Sequence, residues 1–116
     1  MGEILGIARF RFHEGKVEEF KRLSAQAMEI VKAKDPGTLA YDVYFNADET
    51  ECVVIERYTD SNALIEHFAN MGELMEPILS MVTVVHGEVL GDPNEELRAR
   101  LAGSKVPELF TPWLSM

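Results

Sequence analysis

One cysteine, Cys52, is all the thiol this sequence holds, so no disulfide can form within the chain and a reducing compartment is expected. Basic residues are also scarce: 11 Lys and Arg stand against 20 Asp and Glu, a formal net charge of −9. That excess repels phosphate backbones and anionic lipid, so neither nucleic acid nor a membrane surface is an expected partner. No apolar run approaches the ~20 residues that a bilayer span needs. The opening Met1-Gly2-Glu3-Ile4-Leu5-Gly6 lacks the basic flank and long apolar segment of a secretory signal. Ile7 stands where a myristoylation signal needs Ser or Thr. A cytoplasmic protein is the expectation. His13, His67 and His86 are scattered without His-x3-His or Cys-His spacing, so no metal is expected. No phosphate loop, dinucleotide fingerprint or repeat occurs, and no cofactor is expected.

What is present is 47% hydrophobic residues in 116, enough for one domain with one core. Ile4 to Phe12 reads as a strand with Ile4, Gly6, Ala8, Phe10 and Phe12 on one face. Leu5, Ile7, Arg9 and Arg11 take the other face. The period turns helical from Val17 to about Lys34, where Val17, Phe20, Leu23, Ala27, Ile30 and Val31 recur every three or four residues. Asp35-Pro36-Gly37 stops that helix.

Thr38 to Asn46 is the second strand, with Tyr41 and Tyr44 on opposite faces. Ala47-Asp48-Glu49-Thr50 is a polar turn, and Glu51 to Tyr58 is the third strand, with Cys52, Val54, Glu56 and Tyr58 sharing a face. Thr59-Asp60-Ser61-Asn62 supplies N-caps for a helix through Ala63, Leu64, Phe68 and Met71. A short helix around Glu73 to Leu79 follows a change of direction at Gly72, and Met81 to Leu90 is the fourth strand.

The order β-α-β-β-α-β is the ferredoxin-like arrangement, an α+β fold with two helices on one face of a four-stranded antiparallel sheet. Both faces of the first and third strands carry large apolar residues. A second copy closing on the open face, giving a homodimer, is the expected cover; a tail folded back in cis is the alternative. Residues 1–90 form the domain and 91–116 a C-terminal extension. Asp92-Pro93-Asn94-Glu95-Glu96 opens a short helix through Leu97, Arg98, Leu101 and Ala102, which Gly103 ends. Val106, Leu109, Phe110, Trp113 and Leu114 then make an apolar tail holding the only tryptophan. Such a tail is expected to pack, on the dimer or over a pocket mouth, or on its own subunit.

The run Glu56-Arg57-Tyr58-Thr59-Asp60-Ser61-Asn62-Ala63-Leu64-Ile65-Glu66-His67-Phe68 and the turn Asp35-Pro36-Gly37-Thr38-Leu39-Ala40-Tyr41 carry a resemblance. In order and spacing they are similar to the antibiotic-biosynthesis-monooxygenase-like family: Glu-Arg-aromatic ending a strand, a polar cap, Ala-Leu, then a helix histidine. The resemblance spans about residues 4 to 90. It implies a dimeric α+β barrel with a pocket between sheet and helices. Its members include oxygenases that oxidise phenols or quinols without metal or flavin, haem degraders, and proteins of unknown activity. Tyr58 replaces the family's usual tryptophan, and Asn70-Met71-Gly72-Glu73 stands where many members carry a second histidine. The first strand has no Asn and residues 72 to 80 no His, which disfavours haem degradation.

Three residues are candidate catalytic groups. A neutral His67 can take a phenolic proton, the first step in reacting an electron-rich ring with oxygen; it can equally be a packing histidine. Glu56 can hold a histidine in its useful tautomer or simply pair with an Arg, and Tyr58 can orient a substrate hydroxyl. Tyr41, Tyr44, His86, Phe68 and Met71 are candidate substrate contacts, although a histidine in such a strand and methionines in such helices are more often core residues. Two functions follow: a cofactor-independent monooxygenase on a small phenol or quinol, or a non-catalytic dimer that binds a small aromatic or apolar ligand or serves as an interaction module. An isomerase on the same residues is a third option.

Overall fold

The computed structural model describes residues 2–103 and 105–116; Met1, the first residue of the opening segment read above, and Ser104 lie outside the described residues. The chain folds as β1 (Ile4–Phe12), α1 (Val17–Lys34), β2 (Thr38–Phe45), β3 (Glu51–Tyr58), α2 (Ser61–Ser80), β4 (Val82–Leu90), α3 (Glu95–Leu101) and β5 (Glu108–Phe110). The sheet order is β2-β3-β1-β4-β5, antiparallel except that β5 runs parallel to β4. The expected four strands are therefore five. The fifth comes from the apolar tail, whose Leu109 pairs with Val89 and whose Phe110 pairs with Leu90 on the same subunit.

The helices cover one face, here the inner face. Phe20, Leu23, Ala27 and Val31 form the buried stripe of α1, set by the 3.6-residue period. Glu18 and Glu19 lie in its first turn and Lys32 and Lys34 in its last, complementing the helix dipole. The α1 stripe meets Cys52, Val54 and Val82, with Phe12 edge-on to Phe20 at 4.8 Å and stacked on Phe45 at 5.7 Å. A second cluster gathers Ile4, Tyr58, Leu64, Val89 and Leu97. Leu97 is fully buried, so α3 belongs to the core although it lies in the extension. Its start is fixed by Asn94, whose side chain accepts from the Leu97 N–H at 2.9 Å and whose own N–H donates to Ser61 Oγ at 2.9 Å.

The outer face of the sheet carries Leu5, Ile7, Val53, Ile55 and Leu90 with Arg9, Arg11, Glu51, Arg57 and Glu88 around them. Tyr44 projects from that face and is 57% exposed. No helix among the described residues is long and apolar enough to cross a membrane.

Candidate acid–base site

The site begins at the turn that ends α1. Pro36 cannot extend the helix, and Asp35 closes it with its N–H on Val31 O at 3.0 Å. Gly37 then permits a close approach: a Cβ there would stand 2.5 Å from Ala63 Cβ, in the first turn of α2. Asp60 caps that turn by accepting from the Ala63 N–H at 2.9 Å. One helical turn beyond Ala63 is His67, so the contact at Gly37 brings the imidazole over Asp35.

His67 Nδ1 lies 2.7 Å from Asp35 Oδ2, and the two side chains are 3% and 1% exposed. Asn70, three residues along α2, donates Nδ2 to Asp35 Oδ1 and to Lys34 O at 3.2 Å. Both carboxylate oxygens therefore accept, and a carboxylate can only accept, so His67 carries its proton on Nδ1. Nε2 is left facing Glu56 Oε1 at 3.8 Å.

Glu56 sits on β3 in register with Gly6 of β1 and Tyr41 of β2. It is the only carboxylate that the strands place on the inner face. Tyr58 is fully buried and donates its hydroxyl to Glu56 Oε2 at 3.0 Å. The rings of Tyr58 and Tyr41 stand 5.5 and 5.8 Å from the imidazole. Burial raises the Glu56 carboxyl above its ordinary range, against the smaller opposing effects of His67 and the Tyr58 hydroxyl. Burial, reinforced by Glu56, likewise raises both phenols, so Tyr41 and Tyr58 stay neutral donors. The cluster thus holds an imidazole with a fixed tautomer beside a carboxyl biased toward its neutral form, and can take a proton at one atom and deliver one at another.

Glu56 is hemmed in by protein, yet 22% of its side chain stays accessible. Small residues lie beside it on the inner face: Gly6 of β1 pairs with Glu56, and the neighbouring Ala8 pairs with Gly87 of β4. Phe68 stands beside His67, with centroids 6.1 Å apart, and is 41% exposed. Val84, also on the inner face, is 37% exposed. A separate surface hollow of about 330 Å³ runs along Asp35, Pro36, Thr38 and Tyr41.

Of the residues singled out from the sequence, the structure brings His67, Glu56, Tyr58 and Tyr41 together, with Phe68 beside them. Met71 is 2% exposed and packed in the α1-side core with Phe20, Leu23 and Ala27. Tyr44 projects from the outer face by simple strand alternation. His86 is neither a core residue nor near His67. Regular alternation from Val82 and Val84 would turn it inward, but a one-residue bulge skips Val85 and sends His86 outward, opposite Arg9. There it is 54% exposed and 3.1 Å from Glu88. The partner of the histidine is also corrected: Asp35, and not Glu56, sets the tautomer. Asp35 and Asn70 are not among the site candidates read from the sequence. Their only signals there are a carboxylate where α1 stops and an amide three residues from His67 on one helical face. Among the described residues no group of three or more His, Cys, Asp or Glu could hold a metal ion.

Comparison with known proteins places this geometry in context. No curated protein matches the sequence. Among solved structures, MupZ from Pseudomonas fluorescens is 28% identical with a TM-score of 0.83, over 100% of this chain and 94% of that one. Rv0793 from Mycobacterium tuberculosis is 27% identical with a TM-score of 0.67, over 80% of this chain and 97% of that one. SnoaB from Streptomyces nogalater, a cofactor-independent oxygenase, is 22% identical with a TM-score of 0.66, over 77% of this chain and 91% of that one, a likeness of fold. Residues 4–72, more than half of the chain, match the family model for antibiotic biosynthesis monooxygenases, and the chain belongs to that family.

Proposed function

We propose that the protein is a cofactor-independent monooxygenase acting on a small phenol or quinol bound on the inner face over Gly6 and Ala8. The observation that carries this reading is the buried Asp35–His67 pair, which leaves Nε2 free to accept a proton beside Glu56 and Tyr58. Family membership and the fold shared with a cofactor-independent oxygenase support it. Nε2 removes the phenolic proton, and the resulting phenolate is electron-rich enough to react with dioxygen at a ring carbon. One oxygen atom stays on the ring and the other leaves as water. A phenol and one dioxygen give a quinone and one water, so the substrate supplies all four electrons. Glu56, whose carboxyl burial raises above its ordinary range, is in this reading the group that protonates the departing oxygen. Oxygen uptake with a panel of phenols and quinols, lost in His67→Ala and His67→Gln, is the expected result. No uptake with any of them overturns the reading.

A second reading is favoured by one observation, the pairing of a fixed imidazole with a carboxyl held toward its neutral form. That pair can move a proton between two atoms of a substrate without oxygen, as an isomerase does. Turnover that continues under anaerobic conditions selects this reading, and binding without turnover in either atmosphere selects a ligand carrier.

The working unit in this proposal is a homodimer. The apolar centre of the outer face, Leu5, Ile7, Val53, Ile55 and Leu90, has a rim of charges of both signs suited to a second copy. Trp113 and Leu114, 93% and 84% exposed, extend the apolar surface available to it. Light scattering at micromolar concentration is expected to give twice the chain mass, and a monomer mass refutes this.

A further inference from the structure

The extension does more than lengthen the sheet, because its residues just before β5 turn onto the inner face. A Cβ built on Gly87 would lie 3.1 Å from Val106 Cγ1 and 3.5 Å from Pro107 Cα. Gly87 points to the same side as Val89, which is buried in the core, so Val106 and Pro107 lie on the side that holds Glu56 and His67. Val106 is 48% exposed and therefore borders open space instead of filling the core.

We propose that Val106 and Pro107 form the end wall of the substrate recess and limit the size of the ring that reaches the Glu56–His67 cluster. This assignment rests on that cluster being the reacting end of the site. Glu56 on β3 pairs with Gly6 and Gly87 on β4 with Ala8, so two strand spacings and a two-residue offset along β1 separate them, roughly 12 Å. One ring with its hydroxyl directed at His67 Nε2, beside Glu56, fills that span, and a second fused ring meets Val106. The wall lies outside residues 4–72, which match the family, so it belongs to the part of the chain that can differ between relatives sharing the reacting end. The structure of MupZ follows this chain along its whole length, extension included, whereas SnoaB covers 77% of it, leaving a remainder comparable in size with residues 91–116.

The test is equilibrium dialysis of the full chain under anaerobic conditions, with phenol and 1-naphthol as probes. Val106→Ala opens the wall and Val106→Phe closes it, and neither disturbs a buried side chain. Deleting or adding hydrophobic bulk in a pocket changes discrimination by about tenfold or more. The ratio of 1-naphthol to phenol affinity is expected to rise about tenfold in Val106→Ala and to fall by as much in Val106→Phe. Gly87→Ala, which must push Val106 aside, is expected to shift the ratio as well. A ratio constant within about twofold across these proteins overturns the wall even if the protein consumes oxygen. A shifted ratio without oxygen uptake keeps the wall and overturns the oxygenase reading. Failure of the wild-type protein to bind either probe overturns the recess itself.

Discussion

Replacing Asp35 isolates the feature on which the site depends, and its effect can be read before any substrate is known. Asp35→Ala removes the acceptor of two donors, the His67 Nδ1–H and the Asn70 Nδ2–H, while Asn70 keeps Lys34 O. Breaking a buried, hydrogen-bonded pair by deleting one partner costs about 3–5 kcal/mol, because the group left behind is still desolvated. The exposures of 3% and 1% put this pair in that class, unlike the exposed ion pairs of Arg22 with Glu19 or Arg100 with Glu96. Asp35→Asn has a different consequence. An amide offers one acceptor and one donor group where two acceptors are needed. His67 then does best by moving its proton to Nε2 and accepting at Nδ1, which removes the base that faces Glu56. Asn at 35 is therefore expected to cost about 1–2 kcal/mol in stability but to lower turnover by about 10²–10⁴-fold. The assay is urea unfolding at one protein concentration for the wild type, Asp35→Ala, His67→Ala and the double variant. An interaction energy above about 1.5 kcal/mol is expected for residues in one hydrogen-bonded network. Additivity within about 0.5 kcal/mol refutes the idea that Asp35 acts through His67.

Three further outcomes follow from the packing. The carboxyl of Glu56 is raised above its ordinary value of 4.5, so the folded state holds that proton more tightly than the unfolded state does. The wild type is then expected to lose stability relative to Glu56→Gln as pH rises from about 4.5, in paired denaturation curves; a gain with rising pH contradicts this. Gly37→Ala forces a methyl to 2.5 Å from Ala63 Cβ and is expected to cost about 1–3 kcal/mol, with a shifted His67 imidazole signal by NMR; an unchanged melting curve and signal contradict it. Leu97→Ala leaves a hole beside Ile4, Tyr58 and Val89 and is expected to cost about 2–5 kcal/mol, whereas an extension that is a mere appendage would tolerate it below about 0.5 kcal/mol.

Much of the fold is legible in the sequence because it depends on backbone periods. The helical spacing of Phe20, Leu23, Ala27 and Val31 and the stop at Asp35-Pro36-Gly37 yield an α1 of Val17–Lys34, the span expected. Strand alternation alone puts Glu56 with Tyr58 and separates Tyr41 from Tyr44. Gly72, with φ of 38°, breaks α2 where a change of direction was expected. The family is legible too, in the spacing from Glu56 to His67.

The site itself was only half legible. Asp35 and His67 are 32 positions apart, and Asp35 reads as a helix stop until the close contact of Gly37 with Ala63 turns it into the partner of an imidazole. His86 was misplaced because a single bulge at Val85 inverts the alternation, and no local pattern announces it. The fifth strand escaped because three residues, Glu108 to Phe110, carry too little pattern to mark a strand before an edge exists for them to join. Sequence by itself determined what the chain's own geometry repeats every two or 3.6 residues: the elements, their buried faces, and the candidates on each face. Tertiary structure decided which candidates meet, because hydrogen-bond partners and recess walls are chosen by packing between elements, a choice that no period along the chain encodes.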